Sequence, residues 1–210
     1  MESKSDSKKK TSLTLLLPAG RLAGELVKRV SELAGQYAFK MYLSTAQNLR
    51  LYDLNPEAVE TVRASLAEAG ADFKAPGKFP LPKVCIGKVD CNLGIVDTLA
   101  LSDRILARLG KRKKVKPKFK IAIAGCPASC SDAFLNDIGI VATRSGFDVY
   151  VGGKGGPKPK IGHRILEGID EKKLLDTIEK LVEFHDANTP KKQRFAKLVH
   201  DPEFPCPPVA

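Results

Sequence analysis

Four of the five cysteines in this 210-residue chain fall in two short stretches, Cys85-x5-Cys91 and Cys126-x3-Cys130, with 34 residues between them. If the two pairs serve one purpose, the fold must carry both stretches to the same place. That requirement restricts the architecture more than any other feature of the sequence. Five cysteines are too few for a disulfide framework at this length, and 43% hydrophobic residues supply a core of their own.

In a chain of this kind, tight cysteine pairs are metal ligands or redox thiols. Zinc knuckles use C-x2-4-C, and C-x5-C is wide for one. No C-x-x-C dithiol is present. An iron–sulfur cluster fits better, because a [4Fe–4S] cube takes four thiolates from loops that wrap it. Pro127 opens a non-helical turn directly after Cys126, and Gly125, Ala128 and Ser129 are small enough to let the backbone come close. The fifth cysteine, Cys206, lies in a Pro-rich stretch and reads as a free thiol without a role.

The surrounding pattern is that of a mixed α+β chain. Leu22, Leu26, Val30 and Leu33 recur at helical spacing. "FKMYLSTAQNLRLYDL" alternates like one long strand or two short ones. "NPEAVETVRASLAEAGA" is a helix with Asn55 as N-cap, Pro56 at its first position and Gly70 at its end. A Pro/Gly-rich break at residues 75–83 precedes the first cysteine pair. "IVDTLALSDRILARLG" is a helix ending at Gly110, and Leu174, Ile178 and Val182 stripe a last one. "DIGIVATRSGFDVYVGGKGG" reads as a hairpin with a Gly-rich loop, which either approaches a ligand closely or simply turns. The strand expected from Lys118 puts Phe119, Ile121 and Ile123 on a core face. Lys118, Lys120, Ala122, Ala124 and Cys126 share the other, a wall suited to a flat anionic ligand.

Net charge is +11, which points to a polyanionic partner. "KRKKVKPKFK" from Lys111 would serve nucleic acid, but neither an aromatic stripe nor a groove-reading motif accompanies it. No apolar run has the length of a membrane span, so no membrane partner is expected. The short apolar stretch Leu13–Leu17 runs on into helical periodicity and does not read as a secretory signal. A cytoplasmic location is the expectation, with residues 1–11 as a basic tail. His163, His185 and His200 are scattered and form no ligand pattern.

C-x5-C followed by G-C-P-x-x-C resembles the signature of the sirohaem-dependent sulfite and nitrite reductases. "LLLPAGRLAGELVKRVSELAGQYAFKMYLSTAQNLRLYDL" is similar to that family's ferredoxin-like half-domain. "PKFKIAIAGCPASC" and "DIGIVATRSGFDVYVGGKGG" resemble its cluster strand and Gly-Gly segment. The likeness covers roughly residues 13–185. It implies a ferredoxin-like half-domain at 12–78 joined to a sirohaem and [4Fe–4S] α/β domain at 79–190, with 191–210 as a tail. This is one half of a two-fold architecture, as a monomer or a homodimer.

The resemblance also implies a site. Cys85, Cys91, Cys126 and Cys130 would hold the cluster, with Cys130 bridging it to the sirohaem iron. Lys118 and Lys120 would contact substrate or haem carboxylates, and Gln47, Gly125 and Ser129 would line the cofactors. The substrate would be sulfite, or nitrite, reduced by six electrons. The reductant would be an acidic carrier such as ferredoxin or flavodoxin. The chain departs from the family at Ala46, where an arginine that touches substrate is common. Arg50, at the same parity, is the expected replacement.

Overall fold

The computed structural model describes residues 11–116, 118–189 and 194–206. Residues 1–10, most of the expected N-terminal tail, lie outside them, as do Pro117, 190–193 and 207–210. The chain divides into two compact units, Met1–Ala75 and Pro76–Ala210.

In the first unit, strands β1 (Thr11–Leu16), β2 (Lys40–Leu43), β3 (Leu49–Leu54) and β4 (Asp72–Phe73) form an antiparallel sheet in the order β2-β3-β1-β4. Helices α1 (Gly24–Tyr37) and α2 (Val59–Glu68) supply the rest. Strand alternation and helical stripes meet in one core: Leu13, Leu15, Leu49 and Leu51 from the sheet, and Leu26, Val30, Leu33, Val62 and Leu66 from the helices. Leu54 breaks the odd-numbered parity of β3 yet is fully buried. A bulge explains it. The register slips between Thr11 and Leu13, and Asp53 takes φ 61°, so one extra residue turns Leu54 back inward. The Asn55 side chain accepts from the Glu57 amide, as an N-cap should.

The second unit has a five-stranded sheet in the order β5-β6-β7-β8-β9. The strands are β5 (Lys83–Val84), β6 (Ile121–Ala124), β7 (Ile138–Thr143), β8 (Gly146–Val151) and β9 (His163–Ile169). The first three run parallel and the last two antiparallel. Helix α3 (Thr98–Leu109) carries the chain from β5 to β6, and α4 (Glu171–Asn188) follows β9. By register, Ile121, Ile123, Ile138, Ile140, Val149 and Val151 share one face, and all are buried. The opposite face packs Ala122, Ala124 and Val141 against Ala133 of a short 3-10 turn (Ala133–Leu135), with Phe134 and Tyr150 beside them, and no described residue of α3 or α4 belongs to this cluster. The apolar stripes of α3 and α4 therefore belong to the isoleucine face. Arg104, Arg108 and Arg112 pair across to Glu171, Asp176 and Asp186 of α4. These pairs are half-exposed and contribute orientation more than stability.

Residues 194–206, read from sequence as tail, pack into this unit. Phe195 is fully buried, and Leu198, Val199 and Phe204 are nearly so. Phe195 meets Phe119 and His185 edge-on, and His185 lies against Phe119 with centroids 4.6 Å apart. Apolar spacing of Phe195, Val199 and Phe204 was the only trace of this in the sequence, and the flanking prolines masked it. The Gly-Gly turn after β8 is explained by the same packing. A Cβ at Gly152 would meet Val199 at 2.5 Å, and one at Gly153 would meet the Phe134 carbonyl at 2.2 Å. The close approach expected there is made by the chain to itself.

Truncating Phe195 to alanine should cost about 3–5 kcal/mol, the usual penalty for a fully buried aromatic. Urea unfolding of Phe195→Ala against the wild type measures it, and a change below about 1 kcal/mol would mean that this segment is not core.

Candidate cofactor site

Parallel pairing decides where the cysteines go. Lys83 lies opposite Ala122 and Val84 opposite Ile123, so β5 and β6 end side by side. Cys85 leaves the first carboxyl end and Cys126 the second. Loops at the carboxyl ends of adjacent parallel strands are where open α/β sheets hold ligands. The Cys85 amide donates to the Ile123 carbonyl at 3.2 Å, and the Gly125 amide donates to Cys85 Sγ at 3.1 Å.

The loop carrying Cys91 is folded onto the same place. Ile95 donates to the Gly125 carbonyl at 2.8 Å, and Lys88 donates to the Val96 carbonyl at 2.9 Å. Backbones cross here without room for side chains. A Cβ on Gly94 would meet the Gly87 carbonyl carbon at 2.3 Å, and one on Gly125 would meet Gly87 Cα at 2.8 Å. Gly87 itself sits at φ 61°, the left-handed region that glycine enters without strain. Thr98, at the start of α3, donates to the Cys85 carbonyl and so anchors the loop to the helix.

Cys130 sits in a turn closed by the Ser129 amide on the Cys126 carbonyl and the Asp132 amide on the Ser129 carbonyl. Ser129 and Asp132 both take left-handed conformations, φ 52° and 54°. The Ser129 hydroxyl is engaged within this turn, accepting from the Ala133 amide at 3.1 Å. Lys83 makes an ion pair with Asp132, tying β5 to the turn. Sequence reasoning missed Lys83 and Thr98. Their only signals were adjacency to Cys85 and a helix-start position after Asp97.

Cys85 and Cys126 are half-buried, and Cys91 and Cys130 are exposed. Among the described residues, no group of three or more His, Cys, Asp or Glu side chains is gathered tightly enough for a single metal ion. The arrangement instead fits a group larger than an ion. Four thiols come from two loops, one thiol sulfur already accepts an amide hydrogen bond, and three glycines clear the backbone. A [4Fe–4S] cube makes these demands of its loops.

The lysines are placed differently from expectation. Strand β6 begins at Ile121, three residues later than the sequence suggested, and Lys118 lies outside it at φ 76°. The parity argument therefore fails at Lys118. Lys120 and Lys118 are both exposed and lead into the amino end of β6, whereas Cys126 follows its carboxyl end. The four residues of β6 between them span roughly 13 Å. The supposed alanine wall is also closed, since Ala122 and Ala124 are fully buried under Ala133, Phe134 and Tyr150. A buried strand between two filled layers has no free face to offer a flat ligand.

In the first unit, the segments that carry the family likeness come together. The Leu17 amide donates to Asn48 Oδ1 at 3.1 Å, and Gly20 lies against the Gln47 side chain. Ala46 and Gln47 are in the turn between β2 and β3, and Gln47 takes φ 58°. The strand parity linking Ala46 to Arg50 is therefore corrected: only Arg50 is on a strand. It is exposed on β3 and donates to Ser12 Oγ at 3.0 Å.

Burial shifts three further groups. His163 is held below its ordinary value, chiefly by desolvation and then by Lys160 and His200. Desolvation also raises the Cys206 thiol and the Tyr150 hydroxyl. No described helix is long and apolar enough to cross a membrane.

Comparison with known proteins matches residues 81–202 to the nitrite and sulphite reductase 4Fe-4S domain, and residues 4–69 to the nitrite/sulfite reductase ferredoxin-like half domain. The chain is 29% identical over 180 residues to the nitrite reductase [NAD(P)H] large subunit of Klebsiella oxytoca, covering 85% of this chain and 19% of that one. It thus spans about a fifth of that relative's length. It is also 29% identical over 185 residues to the assimilatory-type sulfite reductase of Nitratidesulfovibrio vulgaris, covering 87% of this chain and 83% of that one. Among solved structures, the Mycobacterium tuberculosis NirA protein shares the fold with a TM-score of 0.73 at 21% identity, over 90% of this chain and 37% of that one. The two domains lie in the order expected from the motifs, and together they show that the chain belongs to the nitrite and sulfite reductase family, with a 4Fe-4S domain preceded by a ferredoxin-like half-domain.

Proposed function

We propose that the chain is a small sulfite reductase of the assimilatory type, reducing sulfite to sulfide by six electrons. One observation carries the choice of substrate. The likeness to an assimilatory-type sulfite reductase runs along most of both chains, while the similar nitrite reductase subunits are about five times longer. Reduction of nitrite to ammonia is the second reading, favoured by identity just as high.

Cys85, Cys91, Cys126 and Cys130 would hold the [4Fe–4S] cluster, with Cys130 shared with a sirohaem. When bound, these groups would relay the donor's electrons and supply the iron centre for the reduction. The chain's own part is to bind and to neutralise. The Gly125 amide, already on a thiol sulfur, stabilises negative charge at the cluster. Lys118 and Lys120 stand a strand's length from the cysteines, a separation on the scale of a tetrapyrrole with acidic arms and not of one ligand atom. They would hold haem carboxylates or the anionic substrate and supply protons as oxygen leaves as water. Arg50 is proposed as an anion-binding cation and Gln47 as a cofactor-binding amide. The net charge of +11 suits an acidic electron donor such as a ferredoxin or flavodoxin, whose approach salt would slow. A cytoplasmic setting goes with this chemistry.

The test is turnover of anaerobically purified protein with reduced methyl viologen, sulfite and nitrite offered separately. Sulfide at one per six electrons is expected, from protein showing sirohaem absorption bands. Sirohaem bands with turnover of neither anion would overturn the reductase assignment. Lys120→Ala should keep both cofactors and lose at least about tenfold in turnover. Gly125→Ala should lose iron and acid-labile sulfide while keeping its far-ultraviolet circular dichroism, because the new Cβ forces the loop crossing apart. Full iron content in that variant would show that the crossing tolerates displacement.

A further inference from the structure

Asp137 is the least expected charge in the molecule. It has no exposed surface, and it immediately precedes β7, the middle strand of the second sheet. Its Oδ2 accepts from the Lys120 amide at 3.0 Å, and its Oδ1 accepts from the Phe195 amide at 2.8 Å. Arg194 Nε lies 3.0 Å from Oδ1 as an ion pair, outside hydrogen-bond alignment. The main chain joins in. The Asp137 carbonyl accepts from Gly152, the Ile138 amide donates to the Lys120 carbonyl, and Arg194 donates to the Gly153 carbonyl. The buried side chain thus fastens the lead into β6 to the C-terminal segment, and the main chain of the same residue holds the turn after β8.

The charged groups facing it are Arg194 from the C-terminal segment and Lys120 from the lead into β6. The end of β8 contributes only backbone, and α4 contributes His185, stacked on Phe119 and Phe195. Burial is the dominant influence and raises the carboxyl from 3.8 to about 6, against the lowering effect of Arg194 and the two amides. The sign follows. A carboxyl raised in the folded state binds its proton more readily there than in the unfolded chain. Its contribution to stability is present at low pH and is lost as pH rises through about 6. At neutral pH the fold keeps this carboxylate ionised at a cost in stability, and in return two acceptor oxygens meet two backbone amides.

We propose that Asp137 is a positioning residue for the anion site, setting the backbone from which Lys118 and Lys120 project and locking it to the C-terminal segment. The functional half of this rests on the reading that those lysines hold an anion. An amide side chain in place of this carboxylate offers one acceptor oxygen and one donor group, so Asp137→Asn leaves one of the two backbone amides without a partner and loosens the lead into β6.

Hydrogen–deuterium exchange of the cofactor-loaded protein, corrected for intrinsic rates, reads this directly. Peptides spanning Lys120 and Phe195 are expected to exchange roughly tenfold faster in Asp137→Asn than in the wild type at pH 7.5, and wild-type protection should not fall between pH 7.5 and 5. Nitrite is the matching kinetic probe. Its KM should rise severalfold in Asp137→Asn at pH 7.5, with kcat little changed. Arg194→Gln keeps both amide bonds and stands in should Asp137→Asn not fold; its exchange at the two amides should rise at neutral pH. An Asp137→Asn protein matching the wild type in exchange and KM overturns the proposal. Failure of the wild type to reduce either anion would sink the reductase reading alone, leaving exchange to decide the role of Asp137.

Discussion

A parallel ladder of two residue pairs, Lys83 with Ala122 and Val84 with Ile123, underlies everything at the cysteine loops. It is short, and a two-residue strand has little hold of its own. What secures it lies beyond the ladder, where the chain after β5 folds back across the chain after β6. Gly87, Gly94 and Gly125 permit that crossing, and the hydrogen bonds of Cys85, Ile95 and Thr98 close it. Position of the thiols is therefore a property of backbone contact. Side chains enter at the margins, through Lys83 on Asp132.

The sheet that carries these loops is filled on both sides. Isoleucines and valines meet the helices on one face, and two alanines take the short cover from Ala133 to Leu135 on the other. A Cβ at Gly139 would meet the Ala133 carbonyl at 2.2 Å, so that cover lies directly on β7. Chemistry is left to the strand ends. Thiols occupy the carboxyl end of β6 and cations its amino end, and Asp137 governs the second as the glycine crossing governs the first.

Much of this was legible in the sequence, for reasons that differ by element. The helices carry caps and stripes: Asn55 accepts an amide as expected, and Asp97 and Asp170 cap two more helices in the same way. The cysteine spacing and its flanking motifs disclosed the family because cluster ligation tolerates few loop designs. Strand alternation misled at Lys118, since a four-residue strand buried on both faces has no alternation to read. It misled again at Ala46, because a hairpin turn with Gln47 left-handed interrupts a pattern that continues in letters. Asp137 was invisible as a buried charge. Its partners are backbone amides and a residue 57 positions away, and no local pattern signals them.

The late position of Phe195, Val199 and Phe204 has a consequence for how the chain is made. The first unit ends at Ala75 and owns a complete core, so it can fold while the rest is still being synthesised. The second cannot close its core until Phe204 has emerged, about ten seconds later at ordinary elongation rates. For about the last one to three seconds of it, between the completion of α4 at Asn188 and the arrival of Phe204, the sheet stands with an aromatic gap beside Phe119 and His185. The nascent chain presents apolar surface for as long as the ribosome takes to deliver the plug.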